Sequence, residues 1–597
     1  MSEPAAKYAE LVVDWLREAG YTHCFFVAGG NIMHLLDGAR TRMKCIPVVH
    51  EVAAGIAVEY FNESGGDGHA FALVTAGPGV TNIVTALSGA WLESRELLVL
   101  GGQVKRSDLA TAGIRQRGIQ EIDGIAIAKP VCVLSERVET PWAKRELLAA
   151  IARGRSGRPG PVFLEFCLDA QGAPVDRGSL EAGFAGFDVG PDSSAHAAGR
   201  DGAALVAGLT KKAQRPLWLI GGGVSRASAK RVRGRLLDRG VPIMTTWNGA
   251  DRVGANDPFY AGRPNTWGQR AANALVAQAD LVVAMGTRLG IQQTGFNWQE
   301  WARNATVVQV DIDRSELDKG HPRVDHSICG DANEFLIALC EHDYPPFDPW
   351  VDHVRKVRDL LPLNETWNET RPGFVDPYDF YLTLSELTTA DDVVIPCSSG
   401  GANSVGMQAF NPTFGQIVIT DKGLASMGYG LSGAIGAALA WPRRRTVVVE
   451  GDGGFIQNLQ ELATIAVNNL NLKIFLFANE GYGSIRMTQK NYFGGAYLGC
   501  DTATGLGFPD WEPMFKSFGI PVTTMTGAGF SDDAVMTDFE RVGPHAFVVP
   551  IDPLQTYWPK ITSRITASGS MESNPLHRMS PDLPEDLEHE VFRYLQP

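Results

Sequence analysis

GDGGFIQNLQELATIAVNNLNLKIFLFANEG, residues 451–481, decides the fold. It follows TVVVE at 446–450, a β-branched run that predicts a buried parallel strand. The strand is expected to end at Gly451-Asp452-Gly453-Gly454. There the missing side chains let the backbone approach a phosphate, and the following helix aims its N-terminal N–H groups at it. Asp452 adds a hard carboxylate oxygen. After one helix, a second apolar strand at 473–477 leads to Asn479, whose side-chain oxygen can reach the same cation from the neighbouring strand end. Such oxygens, completed by waters and substrate phosphates, suit Mg²⁺. Gly-Asp-Gly alone most often makes a turn. With strand, helix, strand and terminal Asn at this spacing, the stretch reads as a diphosphate and magnesium site, and the protein as an enzyme.

Working outward, 597 residues exceed a single core and predict three or four domains. The fold class is α/β, with three doubly wound parallel-sheet domains. The first, 1–175, alternates strands at 24–27, 70–75, 97–101 and 161–165 with helical stretches, the pattern of a sheet covered on both faces. A Gly/Ala/Asp-rich stretch at 176–200 reads as a linker. The second domain, 201–342, has strands at 216–220, 281–285 and 307–310. A linker at 343–373 precedes the third domain, 374–555, and a polar, Pro-containing tail at 556–597 reads as a lid or arm. Hydrophobic residues make up 44% of the chain, ample for these cores, and no apolar run reaches the roughly 18–20 residues of a membrane span. The N-terminus reads as an amphipathic helix without a signal-peptide pattern, so a cytoplasmic location is expected. A net charge of −14 with no basic block makes nucleic acid an unlikely partner. Eight cysteines without a C-x-x-C pair indicate neither a zinc knuckle nor a disulfide framework.

The Gly451-Asp452-Gly453 and Asn479 spacing resembles the fingerprint of the thiamine diphosphate enzymes, and matching segments extend over nearly the whole chain. The resemblance implies that Asp452, Asn479 and the Gly481 carbonyl bind Mg²⁺, which holds the diphosphate of thiamine diphosphate beside Gly451, Gly453 and Gly454. At the other end of the chain, VVHEVAAG at 48–55 resembles the segment carrying the catalytic glutamate, here Glu51. A buried carboxyl group at that place can share a proton with the aminopyrimidine ring and favour the imino tautomer that activates the cofactor. Read alone, Glu51 is equally the start of an exposed helix face. TAGPGVTN at 75–82 resembles the turn packed on the pyrimidine, with Gly77, Pro78 and Asn82 as contacts. KGLASMG at 422–428 resembles the segment that wedges an apolar side chain under the cofactor, with Ala425 and Met427. The family's geometry places the cofactor between the first domain of one subunit and the third of another, so a homodimer or homotetramer is expected.

Among these enzymes the chain looks like the acetolactate-synthase-like flavoproteins. Gly222, Arg263, Gly286-Thr287-Arg288, Asp311 and Asp331 resemble the FAD contacts of the middle domain, where glycines at strand ends admit a pyrophosphate and an acidic residue accepts ribose hydroxyls. In this group the flavin is largely inherited and need not turn over; a middle domain holding no nucleotide is the alternative. Gln120, within RQRGIQEID, matches a catalytic position. Departures point elsewhere. Gln292 stands where acetolactate synthases carry an arginine for the second 2-oxo acid, Thr488 where they have a tryptophan, and Cys132-Val133 where they have Thr-Lys. Without the arginine a charge-assisted hydrogen bond is lost. The third domain and tail look like members that transfer an acetyl unit to nucleotide-linked ketosugars or cleave cyclohexanediones, with Arg486 and Gln489 as candidate acceptor contacts. The expected function is a carboligase that decarboxylates pyruvate, a 2-oxo acid donor, and adds the acetyl unit to a ketone acceptor. Alternatives are a diketone-cleaving lyase or hydrolase, an acetolactate synthase, a 2-oxo acid decarboxylase, and a non-catalytic cofactor-binding homologue.

Overall fold

The computed structural model describes residues 6–184, 186, 193–565 and 570–595. Three six-stranded, all-parallel sheets follow one another along the chain. In the first, the spatial order is Lys44–Pro47, Tyr21–Phe26, His69–Val74, Leu97–Gln103, Pro161–Cys167 and Leu134–Val138. In the middle sheet, Pro216–Ile220 and Leu281–Met285 lie side by side at the centre. In the third, Thr446–Gly451 lies between Val393–Ile395 and Leu472–Ala478. Strand residues such as Val447, Val448 and Val449 are buried on both faces, as parallel strands covered by helices must be.

In each sheet the chain winds outward from the centre, returns, and winds the other way. This leaves a crevice at the carboxyl ends of two central strands. The crevices open at Thr75 to Gly77 in the first sheet, at Gly221 and Gly286 in the middle one, and at Asp452 in the third. The candidate residues therefore collect where topology alone predicts ligands.

Close helix contacts weld the first and third domains. The helices Glu51–Ser64 and Tyr429–Ala440 approach through glycine: a Cβ on Gly433 would meet the Tyr60 ring at 2.5 Å, and one on Gly436 would strike the Ala57 carbonyl. A Cβ on Gly55 would likewise strike Ala86 in the helix Pro78–Glu93.

Three parts differ from the sequence expectation. The stretch expected as a linker at 176–200 contains the helix Arg177–Glu181 and the start of the helix Ser193–Lys212. Just before it, Pro174–Val175 pairs with Ala6–Lys7. Within the stretch expected as a second linker, Asp348–Leu360 is a helix whose Trp350, Val351, Val354 and Val357 complete the middle core. The tail is an arm on the middle domain: Leu576 and Val591 join that core, and the Arg270 guanidinium donates to the carbonyls of Met579 (2.8 Å) and Pro581 (2.9 Å).

Candidate active site

The two strands bracketing the Gly-Asp-Gly turn pair in register, with Gly451 opposite Phe477. This places Asp452 beside the 479–481 loop. Asp452 is 1% exposed; its Oδ1 accepts from Gly453 N at 2.7 Å and its Oδ2 from Asn479 N at 3.0 Å and Gly481 N at 3.3 Å. Burial pushes this carboxyl up to about 7. The Asn479 amide lies 3.1 Å from Asp452 Oδ1 and 2.7 Å from the Gly481 carbonyl, and donates to both when its NH₂ faces them. Turned over, its oxygen forms with those two a cluster of three hard oxygens. Neighbouring ligands in an octahedron with bonds of about 2.1 Å stand about 3 Å apart, so the donor set fits Mg²⁺.

The single helix expected after the turn is broken. Asp452–Phe455 is followed by a 3₁₀ segment, Ile456–Glu461, kinked at Asn458, and then by Leu462–Val467. Asn458 donates to the Gly428 carbonyl at 2.9 Å, which ties the kink to the segment carrying Ala425 and Met427. Ala425 has φ 56° and Gly428 φ 81°, so this segment turns sharply and leaves Met427 half-buried. Glu450, also pushed up to about 7 by burial, accepts from Gly428 N (3.1 Å) and Leu431 N (2.9 Å) and fixes the turn from below.

Glu51 opens its helix and is 7% exposed; Asn82 Nδ2 donates to its Oε2 at 3.0 Å. The preceding loop is pinned from the third domain of the same chain. Fully buried Glu461 accepts from Val49 N (3.2 Å), His50 N (3.0 Å) and Thr464 Oγ1 (2.7 Å). Glu450 and Glu461 are both positioning residues that sequence reasoning missed. Gly77, at φ 65°, touches the Gln120 backbone: a Cβ there would lie 2.6 Å from the Gln120 carbonyl oxygen. Pro78 is the first residue of the helix that carries Asn82, so Glu51, Asn82, Gly77 and Gln120 form one group.

A cavity of about 1070 Å³ opens where the three domains meet, lined by Gly222, Gly286, Thr287, Arg288, Asp311 and Asp331. Arg158 of the first domain bonds Asp313 (2.7 Å) and Glu316 (3.0 Å) of the middle one at its wall, and Glu93 accepts from Lys422 N (2.7 Å) of the third. Gly221, Gly223 and Gly286 pack so closely that a Cβ on Gly223 would meet Gly286 Cα at 2.8 Å. Among the described residues the Arg288 guanidinium has no hydrogen-bond or ion-pair partner. A bare backbone cradle beside an unpaired cation fits a dinucleotide pyrophosphate. Asp311 ends its strand 8% exposed, with its carboxyl raised by burial.

Three candidates are spent elsewhere. Arg263 does not line the cavity; it is 1% exposed and donates to Met407 O (2.8 Å), Phe410 O (2.5 Å) and Tyr260 Oη (3.2 Å), joining the middle and third domains. Arg486 donates to the carbonyls of Glu480 (3.0 Å) and Pro553 (2.8 Å), holding the 479–481 loop. Gln489 closes its own loop through Leu498 N and O, both at 3.0 Å.

Family models agree with this geometry in chain order. The N-terminal TPP binding domain of thiamine pyrophosphate enzymes matches residues 6–127, the central domain 204–339 and the C-terminal TPP binding domain 399–549. The chain belongs to the thiamine pyrophosphate enzymes. Within the family it is acetolactate-synthase-like. It is 31% identical over 581 residues to the acetolactate synthase isozyme 2 large subunit of Escherichia coli (strain K12), covering 96% of this chain and 100% of that one. It is 30% identical to the acetolactate synthase large subunit of Parasynechococcus marenigrum (strain WH8102), over 87% of this chain and 83% of that one. The chloroplastic acetolactate synthase 1 of Zea mays is 29% identical, over 93% and 87%. The protein is thus a thiamine-diphosphate-dependent enzyme of the carboligase family, built for C–C bond chemistry.

Proposed function

We propose that this enzyme decarboxylates pyruvate and transfers the acetyl unit to a ketone acceptor without a carboxylate, such as a nucleotide-linked ketosugar. The observation that carries this reading is Gln292, an exposed neutral amide on the wall of the large cavity. Its carbonyl accepts from Thr266 N at 2.8 Å, which fixes the backbone there. A neutral side chain at this place supports an acceptor that needs no charge-assisted contact.

Thiamine diphosphate, when bound, supplies the electron sink for the carbanion. Asp452, Asn479 and the Gly481 carbonyl would hold Mg²⁺ and through it the diphosphate, with Gly451, Gly453 and Gly454 giving backbone access. Met427 and Ala425 would support the rings from below. Glu51, held by Asn82 Nδ2 through its Oε2, would exchange a proton through Oε1, and Gly77, Pro78 and Gln120 border it. FAD would lie along Gly222, Gly286, Thr287 and Arg288 with Asp311 and Asp331 at the ribose end, in a non-redox role. The assembly is a homodimer or homotetramer in the cytoplasm, with Glu51 of one protomer completing the site of its partner. The large-subunit relatives and the exposed apolar rim of the site support an oligomer. Among the described residues no helix is long and apolar enough to cross a membrane.

The test is NMR of products from ¹³C-labelled pyruvate with thiamine diphosphate and Mg²⁺, with and without a nucleotide-4-ketosugar. Label on the sugar supports the proposal. Acetolactate in both samples would replace it with the second reading, condensation of two pyruvates, which the relatives' names favour. Untouched pyruvate would overturn pyruvate as donor.

A further inference from the structure

Cys24 and Cys45 stand opposite each other on the neighbouring parallel strands Tyr21–Phe26 and Lys44–Pro47. Adjacent strands lie about 4.8 Å apart, inside the roughly 4.4–6.8 Å Cα separation that a disulfide spans. Residues in parallel register project to one face, and both side chains pack on the same core, that of Tyr8, Trp15 and Phe166. The two side chains lie side by side on that face. They are not equivalent. Cys24 is wholly buried, which pushes its thiol up; Cys45 is half-buried, and the neighbouring Cys24 side chain holds its thiol below the ordinary value. Among the described strands no other two cysteines oppose each other.

The strand that carries Cys45 leads straight into the catalytic loop. Val48 N donates to Phe26 O at 3.0 Å, continuing the pairing, and Glu51 follows six residues after Cys45. We propose that Cys24 and Cys45 are a peroxide-sensitive dithiol that closes to a disulfide and thereby shifts the Glu51 loop. The Cys45 thiolate attacks one peroxide oxygen; an S–O bond forms, the O–O bond breaks, and the released hydroxide takes a proton to become water. The Cys24 thiol then attacks the Cys45 sulfur; an S–S bond forms, the S–O bond breaks, and the departing hydroxide takes the Cys24 proton and leaves as a second water. Two thiols and one hydrogen peroxide give one disulfide and two waters. A disulfide brings its Cβ atoms to about 3.8 Å, closer than parallel neighbours hold them, so the edge strand and the loop after it must move. Partial exposure and a stabilised thiolate are what make one cysteine of a buried pair reactive, and a disulfide made and broken in a reducing compartment acts as a sensor.

The effect on turnover rests on the role given to Glu51; the cross-link does not. The full-length reduced protein is treated with hydrogen peroxide, digested without reductant and read by mass spectrometry, with pyruvate turnover measured in parallel. The expected result is a Cys24–Cys45 peptide pair two hydrogens lighter than the separate peptides, reversed by dithiothreitol. Turnover falls about tenfold with it and returns on reduction, while Cys24→Ser and Cys45→Ser keep their activity under peroxide. Cys45 carried to the sulfinic acid with no cross-link overturns the dithiol. A cross-link with unchanged turnover overturns the coupling to Glu51, and a protein inactive on pyruvate before treatment still answers the mass measurement.

Discussion

The diphosphate half of the site and the pyrimidine half are built in opposite ways. Around Asp452 the contacts are internal to the third domain: three backbone N–H groups hold the carboxylate and the Asn479 amide faces it. Around Glu51 one side chain, Asn82, reaches the carboxylate, and the neighbouring surface is apolar and open, with Val49 51%, Met33 53% and Ile119 84% exposed. A cation site must have its oxygens preorganised before the ion sheds water. In the role proposed for it, Glu51 has to meet a ring of the cofactor, and a carboxylate with few fixed contacts leaves room for one. The rim of the diphosphate half shows matching apolar exposure at Phe493 (65%) and Leu498 (77%), the kind of patch that marks an interface.

This contrast can be broken most directly at Glu51. Glu51→Gln is expected to lower kcat by about 10²–10⁴ while leaving thiamine diphosphate affinity and the circular dichroism spectrum unchanged; full turnover in that variant would remove the proton-handling role. Asp452→Asn should do the reverse, weakening Mg²⁺-dependent cofactor binding by about 10–100-fold, as read by tryptophan fluorescence during titration. Equal affinity for wild type and variant would show that the rigid half is not the anchor. Gly436→Ala sharpens how the halves are joined, because the new Cβ strikes the Ala57 carbonyl in the helix that carries Glu51. Urea unfolding should show a loss of about 1–3 kcal/mol, and turnover should fall with it.

The smallest effect tests the arm that leaves the third domain and packs on the middle one. Lys560 is 6% exposed and, among the described residues, has no carboxylate partner; its ammonium lies against Met487 Sδ (2.9 Å) and over the Trp558 ring (4.5 Å). Burial lowers its pKa to about 8 from 10.5. Below pH 8 folded and unfolded chains both carry the proton, and the burial penalty is complete. As the pH rises through about 8 the folded state loses its proton first, so the unfolded state binds more protons and stability climbs. Lys560→Met should therefore stabilise the protein by on the order of 2 kcal/mol at pH 7, with the advantage shrinking towards pH 10. Chemical denaturation across that range measures it.

Legibility in the sequence followed the physics of each signal. Strands 216–220 and 281–285 were readable to the residue, because a parallel strand buried on both faces is a short apolar run with sharp ends. The helix Asp348–Leu360 was missed as part of a linker, although Trp350, Val351, Val354 and Val357 carry helical spacing; its charged outer face hid the stripe. Glu450 and Glu461 had no signal, since a buried carboxylate that accepts backbone N–H bonds is written with the same letter as an exposed one. Arg263, Arg486 and Gln489 misled for the mirror reason: in sequence a polar side chain near a motif looks available, and in the fold these are consumed by carbonyls and by loop closure.

The sequence by itself determined the three-domain α/β plan, the family, and the identities of Glu51, Asp452 and Asn479 as candidates. Each of these rests on local runs, strand ends and spacings that survive without knowledge of what lies opposite. Only the tertiary structure decided what meets what. Glu461 pins the Glu51 loop from the far domain, Arg263 joins two domains instead of lining the cavity, and Cys24 faces Cys45 across a strand pair. These depend on contacts between residues distant in the chain. Hydrogen bonds and burial act over a few ångströms in space and carry no record in the order of the letters.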